Sequence, residues 1–348
     1  MSSTPADLLA DLTLEQRVGQ LFMVGVDVAN PSGISYDVVE EYHVGNVFLH
    51  GRSQDGVDAT ADLVESFTSL VNAESTGALP MFVATDQEGG AVQVLRGPGF
   101  TDIPAAIDQA ADDPADTEAA ATTWGAELAA AGINLNLAPV MDLVPDPARA
   151  DSNAPIGAFG RQYGYTPEDV AAHANAFSAG MMANGVDVAI KHFPGLGRVT
   201  KNTDTAQGVT DDEVTADGPD VAIFASGIDA GAAFVMMSTA VYANVDPEVP
   251  AAFSPAVVTD LLRGDLGFDG VVITDDVSAA DQVQPWSPAQ RAIVSIEAGV
   301  DMVLVSAEPS VAAEMVNAVV AKAEENADFA ALIDAAVLRV ATAKQRLG

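Results

Sequence analysis

The chain has 348 residues, of which 49% are hydrophobic, and its 50 Asp and Glu against 14 Lys and Arg give a formal net charge of −36. Nucleic acids and anionic membrane surfaces attract clusters of Lys and Arg, so this balance argues against both as partners. No cysteine is present, which excludes disulfides, thiolate catalysis and zinc sites built on cysteine.

The start of the chain has neither the basic segment nor the apolar segment of an export signal, and no apolar run is long enough to span a membrane. We therefore expect a cytoplasmic protein, with export as the alternative if a signal has been removed.

Eight short apolar runs recur along the chain, and most are rich in β-branched residues. Such runs predict strands that are buried on both faces, as in a parallel sheet. In chain order they are QLFMVGV from Gln20, GNVFLHG from Gly45, MFVATDQ from Met81, INLNLAPVMD from Ile133, VDVAIKHF from Val186, AAFVMMSTAV from Ala232, GVVITDD from Gly270 and MVLVSA from Met302.

Helical patterns fill most of the gaps between these runs, for example over residues 61–74, 167–185 and 254–267. Thr166 is the predicted N-cap of the second helix, with Pro167 in its first turn. Eight alternations of strand and helix predict a single-domain α/β fold over residues 1–348, a (β/α)₈ TIM-type barrel with C-terminal helices from about Pro309 packed on it. A doubly wound sheet is the alternative.

Polar side chains follow each of the eight runs. In a barrel these positions meet at the C-terminal rim, where active sites of this fold lie. The residues are Asp27; Arg52; Asp86, Gln87 and Glu88; Asp142; Lys191 and His192; Ser238 and Thr239; Asp275 and Asp276; and Ser306.

Such a ring of carboxylates, amides and hydroxyls is the chemistry of a sugar pocket, with a carboxylate to meet a developing oxocarbenium ion. The four histidines lack the spacing of a metal site, and no phosphate-binding or dinucleotide-binding glycine motif follows a strand. We therefore predict no metal and no other cofactor.

Seven sequence motifs in this order resemble glycoside hydrolase family 3, and most closely its single-domain β-N-acetylglucosaminidases (β-N-acetylhexosaminidases). The resemblance covers roughly residues 10 to 300. The motifs are VGQLFMVG from Val18, TDQEGGAVQVL from Thr85, NLAPVMDL from Asn136, PIGAFGRQYG from Pro155, KHFPGLG from Lys191, PAAFS from Pro250 and GFDGVVITDD from Gly267.

The resemblance implies that Asp275 is the nucleophile of a retaining mechanism. It implies that Asp86, Arg161, Lys191 and His192 bind the sugar. An opposite charge lowers the pKa of a carboxylate, so Lys191 is expected to keep Asp275 ionised near its ordinary pKa.

The loop after KHFPG departs from the family pattern. Similar enzymes carry there an Asp-x-His pair whose histidine is the acid/base, whereas GRVTKNTDTAQGV (residues 197–209) has no histidine. Asp204 falls at the histidine position and is the candidate acid/base, because burial or a neighbouring carboxylate can raise the pKa of an acid. The alternative is that NTDT is only an Asx-rich turn.

The predicted function is exo-acting release of terminal GlcNAc from muropeptides or chitin-derived fragments through a covalent glycosyl-Asp intermediate. A GlcNAc-containing oligosaccharide or muropeptide is then the partner, and the protein is expected to be a monomer. The alternatives are a related β-glycosidase or phosphorylase with other sugar specificity, or a sugar-binding barrel that has lost its acid/base.

Overall fold

A barrel of eight parallel strands forms the centre of the molecule in a computed structural model that describes residue 9 and residues 11–347. The strands pair in the order β7-β6-β5-β4-β3-β2-β1-β8, and a bridge between Ile273 and Met302 joins the two ends. The barrel strands are β1 (Phe22–Asp27), β2 (Asn46–His50), β3 (Phe82–Thr85), β4 (Leu135–Asn136), β5 (Asp187–Phe193), β6 (Phe234–Met237), β7 (Val271–Thr274) and β8 (Val303–Val305).

Each predicted apolar run contains one of these strands, and the predicted (β/α)₈ barrel is confirmed. Strands β2, β3, β6, β7 and β8 are buried along almost their whole length, as expected when side chains fill the barrel on one face and meet helices on the other. Short paired segments outside the barrel occupy residues 87–89 with 92–93, and 210–211 with 241–242 and 246–250.

Helices surround the barrel. The α-helices within the described residues from Leu14 onward are α1 (Leu14–Gln20), α2 (Gly33–Glu41), α3 (Gly56–Thr68), α4 (Ala106–Gln109), α5 (Pro114–Ala130), α6 (Pro147–Ala150), α7 (Pro167–Met182), α8 (Pro219–Asp229), α9 (Pro288–Ala298), α10 (Ala312–Glu325) and α11 (Ala327–Lys344). Short 3₁₀ turns lie at residues 157–159, 251–253, 281–283, 309–311 and 345–347. No helix in the described part of the chain is both long and apolar enough to cross a bilayer.

The predicted helix boundaries are right in one case and need correction in two. Thr166 caps α7 by accepting the N–H of Asp169. The helix predicted over residues 61–74 instead runs from Gly56 to Thr68, because the side chains of Asn72 and Ser75 bond nearby backbone groups and replace helical pairing.

The helix predicted over residues 254–267 is a π-helix, Ala256–Asp265, rather than an α-helix. At its end the N–H of Leu266 donates to the carbonyl of Leu261, five residues back. Its buried face consists of Val257, Val258, Leu261 and Leu262. The apolar spacing therefore identifies the face that meets the barrel, but it does not determine the winding.

The N-terminal end of the barrel is closed by aromatic packing and by α11. The rings of Phe82 and Phe234 meet edge to face with centroids 5.0 Å apart. The ammonium of Lys344, at the end of α11, lies 5.7 Å from the Phe82 centroid and donates to Gln20 Oε1 at 2.6 Å. These contacts fill the N-terminal end of the barrel axis around Phe82.

Candidate active site

A cavity of about 450 Å³ opens at the C-terminal rim of the barrel. Its wall combines acidic, basic and amide side chains with apolar ones, and all six residues predicted for the site line it: Asp86, Arg161, Lys191, His192, Asp204 and Asp275. They come from β5, from the positions that follow β3 and β7, and from the segments after β4 and β5. The fold therefore assembles one pocket from residues up to 189 positions apart.

The basic side of the cavity is an ion-paired cluster around Glu88. The carboxylate of Glu88 accepts two hydrogen bonds from Arg161, at 2.7 and 2.8 Å, and lies 2.6 Å from the Lys191 ammonium. Lys191 also donates to Asp86 Oδ1 at 2.7 Å. Both Glu88 and Lys191 are buried, whereas Asp86 and Arg161 are partly open to the cavity.

These pairings fix the charge of the cluster. Burial alone would raise the pKa of Glu88, but Arg161 and Lys191 outweigh it and lower that pKa to about 2. Burial alone would lower the pKa of Lys191, but Asp86 and Glu88 raise it. Glu88 and Lys191 therefore stay charged over the whole range in which the protein is expected to work.

His192 is oriented by a buried carboxylate. Asp142 accepts from the backbone N–H of His192 at 3.0 Å, pairs with its Nδ1 at 2.7 Å and also accepts from the N–H of Leu196. The Lys191–His192 peptide bond is cis. With Nδ1 engaged by Asp142, the other ring nitrogen is the one available to a ligand in the cavity.

Asp275 follows β7 directly and points its carboxylate into the cavity. Its N–H donates to Met237 O at 3.0 Å, and its Oδ1 accepts from the N–H of Asp276 at 2.7 Å. Burial raises the pKa of Asp275 to about 6, against a lowering contribution from His192 and with a further increase from Asp204.

Lys191 does lower the pKa of Asp275, as expected, but burial outweighs it and the pKa does not stay near its ordinary value. Lys191 makes its close contacts with Asp86 and Glu88, and it is the weakest of the influences on Asp275 named here. Burial is the largest contribution, so the pKa of Asp275 rises despite the nearby ammonium.

Asp276 has a structural role at this strand end. Its Oδ1 accepts from the N–H and hydroxyl of Ser278 and from the N–H of Ser306, and its Oδ2 accepts from the N–H of Ala279. The side chain thus caps the turn after β7 and fixes that turn to the end of β8.

Asp204 lies on the loop between β5 and α8, at the mouth of the cavity. The residue is exposed, and its N–H donates to Asn202 Oδ1 at 2.9 Å, so the Asx turn considered from the sequence is present. Surrounding protein raises the pKa of the Asp204 carboxyl, Asp276 raises it further, and His192 and Arg161 oppose the rise. The Asx turn and a raised pKa therefore coexist at this position.

Not every polar strand end contributes to the cavity. Asp27 accepts from the N–H of Ala29, Arg52 donates to the carbonyls of Gly51 and Ala91, and Ser238 accepts from the N–H of Ala240. These side chains serve local turns, and the corresponding parts of the wall are apolar, for example Phe48 on β2 and Met236 on β6. The expected ring of eight polar positions is thus reduced to the ends of β3, β5, β7 and β8.

Two residues that organise the site, Glu88 and Asp142, received no role from the sequence. Both follow strands in the motifs TDQEGG and NLAPVMDL, which is the signal that could have selected them. Their partners are 50 to 103 positions away, so only the folded chain shows that Glu88 holds Arg161 and Lys191 and that Asp142 holds His192.

Comparison with known proteins places nearly the whole chain in one enzyme family. The model of the glycosyl hydrolase family 3 N terminal domain matches residues 13–343. A beta-hexosaminidase of Xylella fastidiosa (strain 9a5c) is 35% identical over 322 residues, which cover 90% of this chain and 91% of the relative.

Solved structures of related enzymes also match nearly the whole chain. The crystal structure of a beta-N-acetylhexosaminidase from Beutenbergia cavernae DSM 12333 is 68% identical with a TM-score of 0.96, and the match covers 97% of this chain and 99% of that one. A glycoside hydrolase family 3 beta-N-acetylglucosaminidase from Paenibacillus sp. str. FPU-7 is 31% identical with a TM-score of 0.85, over 96% of this chain and 62% of that chain.

Proposed function

Because this chain belongs to glycoside hydrolase family 3, we propose that it is a retaining exo-β-N-acetylglucosaminidase. Its substrates are GlcNAc-terminated fragments of the cell wall, such as muropeptides, or of chitin. The observation that carries the proposal is that Asp275 shares one cavity of about 450 Å³ with Asp204 and with the charged cluster of Asp86, Arg161 and Lys191. A pocket of that size, closed at the barrel's other end, suits a single terminal sugar.

In this proposal the charged cluster and His192 bind the hydroxyl groups of the sugar. Asp86 offers carboxylate oxygens, Lys191 and Arg161 offer donors, and His192 offers the ring nitrogen that Asp142 leaves unused. Because these groups are already held by Glu88 and Asp142, little ordering is needed when the substrate binds.

The first chemical step forms an ester on Asp275. An oxygen of the ionised carboxylate attacks the anomeric carbon while the bond from that carbon to the leaving oxygen breaks, and Asp204 gives its proton to the leaving oxygen. In the second step Asp204 takes a proton from water, the water oxygen attacks the anomeric carbon, and the ester bond breaks to regenerate the Asp275 carboxylate.

The electrostatics of the two carboxyls suit this exchange of roles. Each carboxyl has a raised pKa, and the charge on Asp204 contributes to the raised pKa of Asp275, so the protonation states of the two are linked. Formation of the ester removes the charge of Asp275. The pKa of Asp204 then falls, which helps it give up its proton in the first step and leaves it as a base for the second.

A panel of nitrophenyl glycosides, assayed with and without inorganic phosphate, tests the substrate and the reaction. We expect hydrolysis of the N-acetyl-β-D-glucosaminide that does not depend on phosphate and that far exceeds hydrolysis of the β-glucoside. A preference for the glucoside, a requirement for phosphate, or binding without turnover would each replace the proposal with the corresponding alternative.

Asp204→Ala tests the acid/base assignment. With a good aryl leaving group we expect the first step to persist and turnover to slow by about 10²-fold or more, with azide restoring the rate by attacking the intermediate without a base. The exposed Asp212, on the far side of the same loop, gives a matched control in Asp212→Ala. Wild-type kinetics of Asp204→Ala would remove the assignment and leave Asn202 and Asp204 as a turn only.

A further inference from the structure

One buried glutamine, Gln282, attaches the loop that carries Asp204 to the segment that follows Asp275. Its Oε1 accepts from the N–H of Val209 at 2.9 Å, its Nε2 donates to Val209 O at 3.0 Å, and its own N–H donates to Thr203 O at 3.0 Å. Gln282 is only 5% exposed, so these hydrogen bonds are shielded from water.

The attachments made by Gln282 lie on both sides of Asp204. Thr203, which accepts from Gln282, is 1% exposed, and the next carbonyl, that of Asp204 itself, accepts from the N–H of Asp281 at 3.2 Å. Val209 is held at the end of the loop. The backbone of Asp204 is therefore fixed while its side chain stays at the mouth of the cavity.

The turn that carries Gln282 is itself rigidly supported. Arg291, buried on α9, donates to the carbonyls of Val277 and Ser278 at 2.6 and 2.7 Å. Asp276 caps Ser278 from the other side. A position fixed by Gln282 is thus fixed relative to Asp275, which lies two residues before Val277.

Elsewhere the long-range attachments of the loop lie at its start, where Arg198 pairs with Asp220 and Glu213. At its start Asn153 donates to the carbonyls of Leu196 and Val199, at 3.1 and 2.7 Å. Between these points and Val209, the side chains of Lys201, Asp204 and several neighbours are exposed. The side chain of Gln282 therefore makes two of the three hydrogen bonds at the Val209 backbone among the described residues, and the third comes from the N–H of Val241.

We propose that Gln282 is a positioning residue that holds Asp204 within reach of the leaving oxygen. This inference rests on the proposed function, in which Asp204 is the acid/base. Gln282 does not line the cavity and touches no substrate, so its effect passes through the loop.

The inference predicts a kinetic signature that a general loss of stability does not produce. A leaving group as acidic as 2,4-dinitrophenol departs without a proton, whereas phenol needs one. Gln282→Leu is expected to lower kcat for the phenyl N-acetyl-β-D-glucosaminide by about 10- to 100-fold, since displacing a catalytic group by about 1 Å has effects of that size. For the dinitrophenyl substrate the loss in the first step should be less than about threefold.

Gln284→Leu is the matched control. Gln284 is the same residue type in the same turn, but its side chain bonds only Ser278, Ala280 and Arg291 and does not reach the loop. We expect Gln284→Leu to change kcat by the same factor for the phenyl and dinitrophenyl substrates. If Gln282→Leu unfolds at the assay temperature, Gln282→Glu takes its place, because it keeps the acceptor for Val209 N–H and loses only the donor to Val209 O.

The deciding experiment is a double-mutant cycle between positions 282 and 204 with the phenyl substrate. If Gln282 acts through Asp204, adding Gln282→Leu to Asp204→Ala causes no further loss. Multiplied effects, or equal losses with both leaving groups, would overturn the positioning role and leave the proposed function standing. Wild-type kinetics of Asp204→Ala would instead overturn the acid/base assignment. The two failures are therefore distinguishable.

Discussion

The two walls of the cavity differ in how their charges are balanced. On the binding wall, Glu88, Arg161 and Lys191 are paired with one another, and the pKa of Glu88 is lowered to about 2. On the catalytic wall, Asp275 and Asp204 have no cation within salt-bridge distance among the described residues, and the pKa of each is raised.

In the proposed function, this difference separates sugar binding from chemistry within one pocket. Paired charges keep a constant state and a constant position, which suits recognition of a neutral sugar. Unpaired carboxyls in partial burial hold and release protons near working pH, which suits acid/base and nucleophilic roles. Removal of a charge should therefore mainly reduce activity on the catalytic wall and mainly reduce stability on the binding wall.

Removal of the catalytic carboxylate should have the largest effect. Asp275→Ala is expected to lower kcat/KM by roughly 10⁴-fold or more, the loss typical of a missing nucleophile. Steady-state assays on an aryl N-acetyl-β-D-glucosaminide measure it, with Asp260→Ala, an exposed acid on the π-helix, as control. Undiminished cleavage by Asp275→Ala would end the account of the catalytic wall.

Removal of the central charge on the binding wall should instead destabilise the fold. Glu88→Gln removes the carboxylate shared by the buried Lys191 and the partly exposed Arg161, at a cost of about 3–5 kcal/mol in the free energy of unfolding. Denaturant titration measures this loss. Glu127→Gln, which alters a carboxylate bound to Thr101 near the surface, serves as the control. Equal stability of the two variants would show that the cluster is not the constraint we describe.

Lys344, at the opposite end of the barrel, tests whether an unpaired buried charge titrates even where no chemistry occurs. Its ammonium contacts Gln20 and Gly45 but no carboxylate of the described residues, and burial lowers its pKa to about 7. Since the unfolded pKa is about 10.4, the folded state binds fewer protons between these values, so stability rises with pH there.

The expected contribution of Lys344 is a penalty of about 2–4 kcal/mol that is complete below pH 7 and fades toward pH 10. As the pH rises from 7 to 10, the unfolding free energy of wild type should therefore increase by about 2–4 kcal/mol relative to that of Lys344→Met. Lys322→Met, which removes an ammonium paired with Glu297, should show no such shift. A flat difference for Lys344→Met would contradict the buried, unpaired assignment.

The pH response of Asp275 should be the smallest of these effects in energy. Its folded pKa of about 6 exceeds the usual value near 3.9, so the folded state binds more protons between them, and stability falls as pH rises through this window. Asp275→Asn should consequently be more stable than wild type at pH 7, by about 1–3 kcal/mol, with the advantage lost below pH 4.

The same ionisation governs activity. The nucleophile must be charged, so kcat/KM should decline toward tenfold per unit as pH falls below about 6. A pH–rate profile combined with thermal denaturation of Asp275→Asn checks both consequences. An acidic limb near pH 4, with no gain in stability, would place Asp275 in an ordinary solvated environment.

The sequence predicted the barrel because each strand carries its own signal. The run FVMM in β6 is apolar throughout, VVIT in β7 is apolar up to Thr274, and the polar residue after each run marks the rim. Helix ends with a local cause were also readable, as at Thr166, whereas the end of α3 depends on competing side-chain bonds from Asn72 and Ser75.

Six of the residues that line the cavity were also predicted from the sequence, but the way they are held was not. Lys191 lies in β5 and Asp275 follows β7, and the sequence alone suggested that the two side chains lie close together. The choice of Asp86 and Glu88 as the partners of Lys191 depends on distances of 2.7 and 2.6 Å between residues about a hundred positions apart. The same holds for Gln282 and Val209, whose hydrogen bonds cross 73 positions.

The most direct test of the central claim is to trap the intermediate on Asp275. The enzyme would be incubated with a fluorinated N-acetylglucosaminyl substrate that has a good leaving group and turns over slowly, digested, and examined by peptide mass spectrometry. The account predicts one added sugar, on the peptide containing Asp275, absent from Asp275→Ala. A sugar attached at another residue, or no covalent adduct while the substrate is cleaved with inversion, would contradict it.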